Sequence, residues 1–461
     1  MKSHYQVAVI GAGPAGMAGA TLAARHGAST LLLDEQARPG GQIYRGVETQ
    51  SLSDRQILGA DYYAGSALTE RLRTSNVDYV PEASVWQISP EREIGVTVDS
   101  QTHLLTADQV IIATGAQERP FPAPGWTLPG VLNAGAAQIL LKTSGVTLPS
   151  PVFVGCGPLL YLVAYQYLRA GVPVAGILNT APRANVGRAL RNLPEALPRF
   201  PELWKGWGWL RTLRKSGVPF VNAVEAVKFN GTDQLDAIEY RTEGQWKRIA
   251  THVALVHHGV VPNTNLAMVA RCRHDWDETQ CTWHAVTDAW CHSDQDGIAI
   301  AGDGARINGA EVAAATGQLA ALGALNRLSL LDGEARDRLA RPFQLTVKRQ
   351  AGLRRFLDVL YQPAKEFRVP VDPTVLVCRC EEVTAGEVKD AVALGCEGPN
   401  QLKSFTRAGM GPCQSRFCGL TVCEMIAEQR GCPVSEVGPA RFRPPVKPLE
   451  LGQLAMLAEQ D

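Results

Sequence analysis

The stretch that most constrains this chain is its beginning. Val7-Ala8-Val9-Ile10 is an apolar strand that runs into Gly11-Ala12-Gly13-Pro14-Ala15-Gly16, and a small-residue helix from Met17 to about His26 follows. In such a turn Gly11 permits the reversal, Gly13 lets backbone approach a pyrophosphate, and Gly16 lets the helix lie close on the strand. Pro14 and Ala15 open the helix, whose free N–H groups carry roughly half a positive charge. A second apolar strand, Thr30 to Leu33, ends at Asp34-Glu35. Asp34 stands 18 positions after Gly16, where such folds hydrogen-bond the adenosine ribose. Strand, turn, helix, second strand and acid in register predict a dinucleotide site.

Further segments fit a flavin version of that site. Arg38-Pro39-Gly40-Gly41-Gln42-Ile43-Tyr44 forms a turn that lies beside the flavin if the loop holds FAD. Many pyridine-nucleotide disulfide reductases place a redox cysteine pair shortly after this double glycine. Here the first cysteine is Cys156, which argues against dithiol chemistry of that kind. Val110-Ile111-Ile112-Ala113-Thr114-Gly115 and Ile298-Ala299-Ile300-Ala301-Gly302-Asp303-Gly304 both run from buried strand into a small-residue turn. Asp303 is open to two readings, a contact to the ribityl or pyrophosphate portion of the cofactor or a cap of the helix from Glu311 to Leu322.

Between these returns lies a second nucleotide-like unit. Val152 to Gly155 leads through Cys156, Gly157, Pro158 and Leu159 into a helix ending near Ala170, and a strand from Val172 to Leu178 follows. Its fingerprint is incomplete, because Leu160 replaces the third glycine and Asn179-Thr180 replaces the acid. Gly155, Gly157 and Pro158 are therefore candidates for binding NAD(P) or ATP, with a structural lobe as the alternative.

Lys+Arg and Asp+Glu are equal at 45 each, so nothing points to nucleic acid. The first strand begins at Tyr5, and no run of about 18 apolar residues occurs, so the expectation is a cytoplasmic protein, peripheral to the membrane at most through partners. Of eleven cysteines, seven fall in the last fifth of the chain. Cys378-Arg379-Cys380 closes an apolar strand, Thr384-Ala385-Gly386-Glu387 reads as a capping box, and Cys413 and Cys418 flank a glycine turn. Cys378, Cys380, Cys413 and Cys418 can gather around one metal centre. Four cysteines suit zinc as well as [2Fe-2S]; the tight C-x-C spacing and the flavoprotein host favour iron–sulfur.

The combination of Gly11 to Gly16, Pro39 to Arg45, Ala113-Thr114-Gly115, Gly302-Asp303, Cys378-Arg379-Cys380 and Gly411 to Cys418 resembles the alpha subunits of heteromeric FAD-dependent amino-acid dehydrogenases. That family includes opine oxidases, D-hydroxyproline dehydrogenase, hydrogen cyanide synthase and proline dehydrogenase complexes, and it is similar to part of the sarcosine oxidase alpha chain. The C-terminal module resembles the bacterioferritin-associated ferredoxin domain, although its C-x4-C pair is wider. The resemblance implies an α/β, glutathione-reductase-like Rossmann flavoprotein with two dinucleotide-binding domains and a small, mostly helical [2Fe-2S] domain. The expected division is FAD domain 1–118 and 286–330, inserted NAD(P)-like domain 119–285, basic helical connector 331–373, cluster domain 374–438 and tail 439–461. FAD would be held by Gly11, Gly13, Pro14, Ala15, Gly16, Asp34, Glu35, Gly41, Gln42, Thr114, Gly115, Gly302 and Asp303. The resemblance further implies an FAD-containing beta subunit that oxidises the substrate, with an interface flavin and a small ferredoxin-like gamma subunit as further candidates. The chain itself would relay electrons through FAD and [2Fe-2S]; a self-contained NAD(P)H-dependent reductase is the alternative.

Overall fold

The computed structural model describes residues 1–50, 52, 54 and 56–459; the last two residues of the expected tail lie outside them. A seven-stranded sheet carries the N-terminal half, with Asp78–Val80, Thr30–Leu33, His4–Ile10 and Gln101–Ile112 parallel in that order. Ile298–Ile300 adds a further parallel strand beside Gln101–Ile112, and Glu93–Val98 and Ser84–Ile88 extend the sheet antiparallel. The central strands are apolar throughout because both of their faces are covered. Successive residues alternate between two cores: Val7, Val9, Leu32 and Ile111 face one, while Ala8, Ile10, Leu31 and Ile112 face the other.

Register sets the site. Ile10 pairs with both Leu33 and Ile112, and Ile112 pairs with Ile300. The residues that follow these four strands therefore emerge together at one edge, where the strand order reverses and open α/β sheets bind ligands.

The chain leaves this domain through Ala116–Glu118 and returns through Val260–Pro262, the two segments pairing antiparallel. Between them a five-stranded parallel sheet takes the order Phe220–Val221, Gly176–Asn179, Val152–Gly155, Ala254–His257 and Val131–Asn133. A three-stranded antiparallel sheet, Ala226–Asn230, Ala237–Thr242 and Gln245–Ala250, covers it. The expected boundary at 285 differs from the packing observed. Leu266, Ala267, Ala270 and Ala285 already share a core with Ile10 and Ile112, so the first domain resumes at the Val260–Pro262 ribbon.

The expected basic connector is a 28-residue helix, Gly333–Leu360, that packs on the Ala310–Arg327 helix. Three of its arginines form ion pairs, Arg336 with Asp337, Arg354 with Asp358 and Arg355 with Glu195. Beyond it lies a small domain around Val377, Val388, Leu402 and Ile426, whose first helix begins with the capping box of Thr384 and Glu387. The tail then returns to the first domain: Val446 is buried there and its N–H donates to the Trp86 carbonyl at 2.9 Å. Among the described residues no helix is long and apolar enough to cross a membrane.

Candidate cofactor cleft and thiol cluster

A cleft of about 960 Å³ opens at the edge where the strands end. Gly11, Gly13, Pro14, Ala15, Asp34, Glu35, Gly41, Gln42, Thr114, Gly115 and Asp303 all line it. Gly16 and Gly302 act from behind the wall. A Cβ at Gly16 would lie 1.7 Å from the Gly11 carbonyl oxygen, so only glycine lets the Pro14–Arg25 helix start this close to its strand. At Gly302, with φ +70°, a Cβ would meet the Ala15 side chain at 2.8 Å.

The two acids after the second strand both line the cleft but differ in their surroundings. Asp34 is 7% exposed, and its carboxylate accepts the Ala12 N–H on one oxygen and the Gln36 N–H at 2.7 Å on the other. Burial raises its pKa, and those backbone donors oppose the rise. Asp34 thus holds the glycine turn in shape. Glu35 is the exposed carboxylate at the cleft, ion-paired with Lys447 of the returning tail.

Asp303 combines both readings open to it. Its Oδ1 accepts the Asn308 and Gly309 N–H groups at 2.8 and 2.9 Å, shaping the turn before the Ala310–Arg327 helix, while the residue also lines the cleft. The Thr114 hydroxyl donates to the Asn263 carbonyl at 3.0 Å, tying the two returning segments together.

The second glycine turn has the backbone of the first without its access. Gly155, Cys156 and Gly157 are buried and none of them, nor Pro158, lines the cleft; Leu159 and Leu162 do. The Cys156 thiol faces the Tyr361 carbonyl, and the Asn185 amide holds the carbonyls of Leu360 and Gln362. The exit of the 333–360 helix therefore covers the turn. Asn179, in the place of a ribose acid, is occupied by Asn222 and the Ala181 N–H.

Two charged groups in the cleft wall escaped the sequence reading. Glu118 accepts the Gly135 N–H at 2.7 Å and bonds His257 Nδ1 at 2.7 Å, joining the exit ribbon to the inserted sheet. Lys142 is buried with its ammonium on the carbonyls of Gln42 and Ile43. The available signal was weak: in the Ala134–Ser144 helix the polar Gln138 and Lys142 stand four apart, which puts them on one face.

In the small domain the four cysteines come together as two pairs. The Cys378 thiol hydrogen-bonds that of Cys418, and Cys380 bonds Cys413. Backbone N–H groups of Gly409, Glu381 and Cys380 serve Cys378, and that of Phe417 serves Cys413. The hydrogen bond from Cys418 lowers the Cys378 pKa to about 5, and the same bond pushes Cys418 well above the ordinary thiol value. A Cβ at Gly411 would lie 2.3 Å from Cys380 Cβ, so the turn needs glycine there. Among the described residues no group of three or more His, Cys, Asp or Glu is placed to hold a metal ion, although Cys413 and Cys418 each also feel the charge of Cys378 and Cys380. The donor set still suits an iron–sulfur group, since it offers four sulfur ligands, two of which, Cys378 and Cys413, are served by backbone N–H donors that favour the thiolate.

The loop that carries Cys413 and Cys418 is docked on the first domain. Gln117 Nε2 donates to the Arg416 carbonyl at 2.7 Å and Asn265 Nδ2 to the Gln414 carbonyl at 3.2 Å. Arg416 and Phe417 thereby become part of the cleft wall.

Residues 5–317 match the model of the pyridine nucleotide-disulphide oxidoreductases, and residues 373–458 that of the sarcosine oxidase A3 domain. The chain belongs to the first of these families. It is 43% identical to one of the subunits of opine oxidase from Agrobacterium tumefaciens (strain Ach5), over 99% of this chain and 92% of that one, and so shares its family too. Hydrogen cyanide synthase subunit HcnB of Pseudomonas aeruginosa is 32% identical, covering 96% of each chain. The structure of L-proline dehydrogenase from P. horikoshii has the same fold at a TM-score of 0.72, with 18% identity over 98% of this chain and 79% of that one. The chain is accordingly an oxidoreductase, and the matched domain, to which the cleft belongs, supports FAD binding.

Proposed function

We propose that this chain is the electron-transfer subunit of a multi-subunit FAD-dependent amino-acid dehydrogenase or oxidase, acting with a partner that oxidises D-hydroxyproline, an opine or a related secondary amine. The observation that carries the reading is the docked loop: Cys413 and Cys418 bracket Arg416 and Phe417, which stand in the wall of the FAD cleft. When bound, FAD takes up two electrons and releases them singly, whereas a [2Fe-2S] cluster carries one at a time.

The chain's own residues prepare this arrangement. The N–H groups at the start of the Pro14–Arg25 helix receive the pyrophosphate, with Gly11 and Gly13 allowing close approach. Glu35, in place of Asp34, is the carboxylate available to the ribose. Gly41, Gln42, Thr114, Gly115 and Asp303 shape the flavin end. Cys378, Cys380, Cys413 and Cys418 would hold the cluster, within reach of that end through the Gln117 and Asn265 contacts.

A partner is supported by the names of the relatives, which are subunits of opine oxidase, hydrogen cyanide synthase and sarcosine oxidase. It is supported as well by the Phe200–Lys215 helix, which exposes Phe200, Trp204 and Trp207 while placing Lys205 and Trp209 in the cleft wall. An interface flavin or a ferredoxin-like third subunit would sit on the same side. Direct reduction by NAD(P)H is disfavoured, because Gly155, Gly157 and Pro158 lie outside the cleft.

Iron and acid-labile sulfide, assayed on the anaerobically purified full chain, test the cluster: equal amounts of both are expected, and zinc without sulfide would overturn it. Cys413→Ser should stop electron flow in the assembled complex while FAD stays bound. Unchanged flow would reduce the small domain to a scaffold.

A further inference from the structure

Three consecutive carbonyls of the turn beside the flavin end accept hydrogen bonds from cations. Arg45 Nε donates to the Gly41 carbonyl at 3.2 Å, and Lys142 Nζ donates to those of Gln42 and Ile43 at 3.1 and 2.9 Å. Arg45 is satisfied further by Gln36. Lys142 is only 4% exposed, lines the cleft, and has the Tyr62 ring at 5.6 Å. Among the described residues the charged or aromatic side chains that act on it are Arg45 and Tyr62, and no carboxylate is paired with it, so the ammonium enters a low-dielectric wall without a counter-charge. Buried cations left in this state are costly and are retained where an anionic group comes to meet them.

Position along the cleft says which group that is. Gly11 to Gly16 mark the pyrophosphate and Glu35 the ribose; Gly41 packs on Gly13, and Gln42 and Ile43 continue from it along the cleft wall that the FAD reading assigns to the flavin end. Two electrons taken up with one proton leave a flavin with one negative charge, and nearby fixed charge tunes that change. We propose that Lys142 is a positioning residue for FAD chemistry: its ammonium, fixed by the Gln42 and Ile43 carbonyls, sets a positive charge at the flavin end that favours the reduced, anionic cofactor. This rests on the FAD reading of the cleft. Burial, and then Arg45, depresses the lysine pKa to about 7, and an anion arriving beside it would raise that value and hold the ammonium charged.

The test uses the full chain purified with its partners. FAD per chain is measured first, then the midpoint potential by anaerobic dye titration and the association constant of sulfite, which leaves negative charge on the flavin. In Lys142→Met and Lys142→Gln the potential should fall and sulfite should bind roughly tenfold or more weakly; Lys142→Arg should keep both near the parent values. Lys142→Gln retains N–H donors toward the two carbonyls and decides the matter if the methionine variant fails to fold. A glutamine variant replete in FAD with unchanged potential and sulfite affinity overturns the proposal. Loss of FAD from that variant overturns it too, by making Lys142 purely structural. Absence of FAD from the parent chain would instead sink the cofactor reading itself.

Discussion

At the first glycine turn Gly11 and Gly13 face an open cleft, and a glycine at the third position brings helix and strand together. At the second, Gly155 and Gly157 make a similar reversal, but Leu160 fills the third position and is buried among Phe153, Tyr161 and Leu255. Strand register extends the parallel. Ile10 pairs with Leu33, so Gly11 stands level with Asp34, just as Gly155 pairs with Asn179. The partners differ: Asp34 supports an exposed Glu35, whereas Asn179 precedes Thr180, which is buried and bonded to His258. Glycine makes the bend in both places. What distinguishes the first turn is the open space and the exposed carboxylate beyond it, and at the second turn Tyr361 stands in that space.

The largest effect should come from Gly16→Val, which drives a side chain into the Gly11 carbonyl: FAD content should fall to near zero and stability by about 3 kcal/mol or more, read by absorbance and thermal unfolding. Leu160→Gly restores the missing glycine of the second turn. It should cost about 3 kcal/mol by emptying a core position and still yield no binding of NADH in calorimetric titration, since the cover from Tyr361 remains; new tight binding would break the comparison.

A third difference is titratable. The Lys142 pKa in the folded chain, about 7, lies below its unfolded value of 10.5, so between those values the unfolded chain holds more protons. Stability of the FAD-free protein relative to Lys142→Met should therefore rise with pH across that window, by at most about 1.4 kcal/mol per pH unit, in paired denaturant titrations. Asp34→Asn should cost about 1 kcal/mol by weakening the acceptor for the Ala12 N–H, with FAD retained at reduced affinity. Glu35→Gln should change stability by less than about 1 kcal/mol, its pair with Lys447 being half exposed, yet weaken FAD binding several-fold.

Much of the first turn was legible because its requirements are local. Glycines, apolar strands and an acid at fixed spacing follow from backbone sterics and strand register, and the capping box of Thr384 and Glu387 is equally local. The difference between a buried Asp34 and an exposed Glu35 was not legible, because it depends on which carboxylate the Ala12 and Gln36 N–H groups capture. The cover over Gly155 comes from residues some 200 positions away, and a one-chain pattern carries no trace of that contact. Lys142 was hidden for the same reason: its partners, Gln42 and Ile43, offer only backbone carbonyls. The cysteine spacing pointed to proximity, which the structure supplies in pairs, and did not foretell that Arg416 and Phe417 reach the cleft.

Anaerobic mixing of the FAD-replete complex with NADH or NADPH, followed at the flavin absorbance, tests the difference between the two turns most directly. No bleaching on the timescale of turnover is expected, with bleaching by the amine substrate in the same sample. Rapid bleaching by a nicotinamide nucleotide would contradict it.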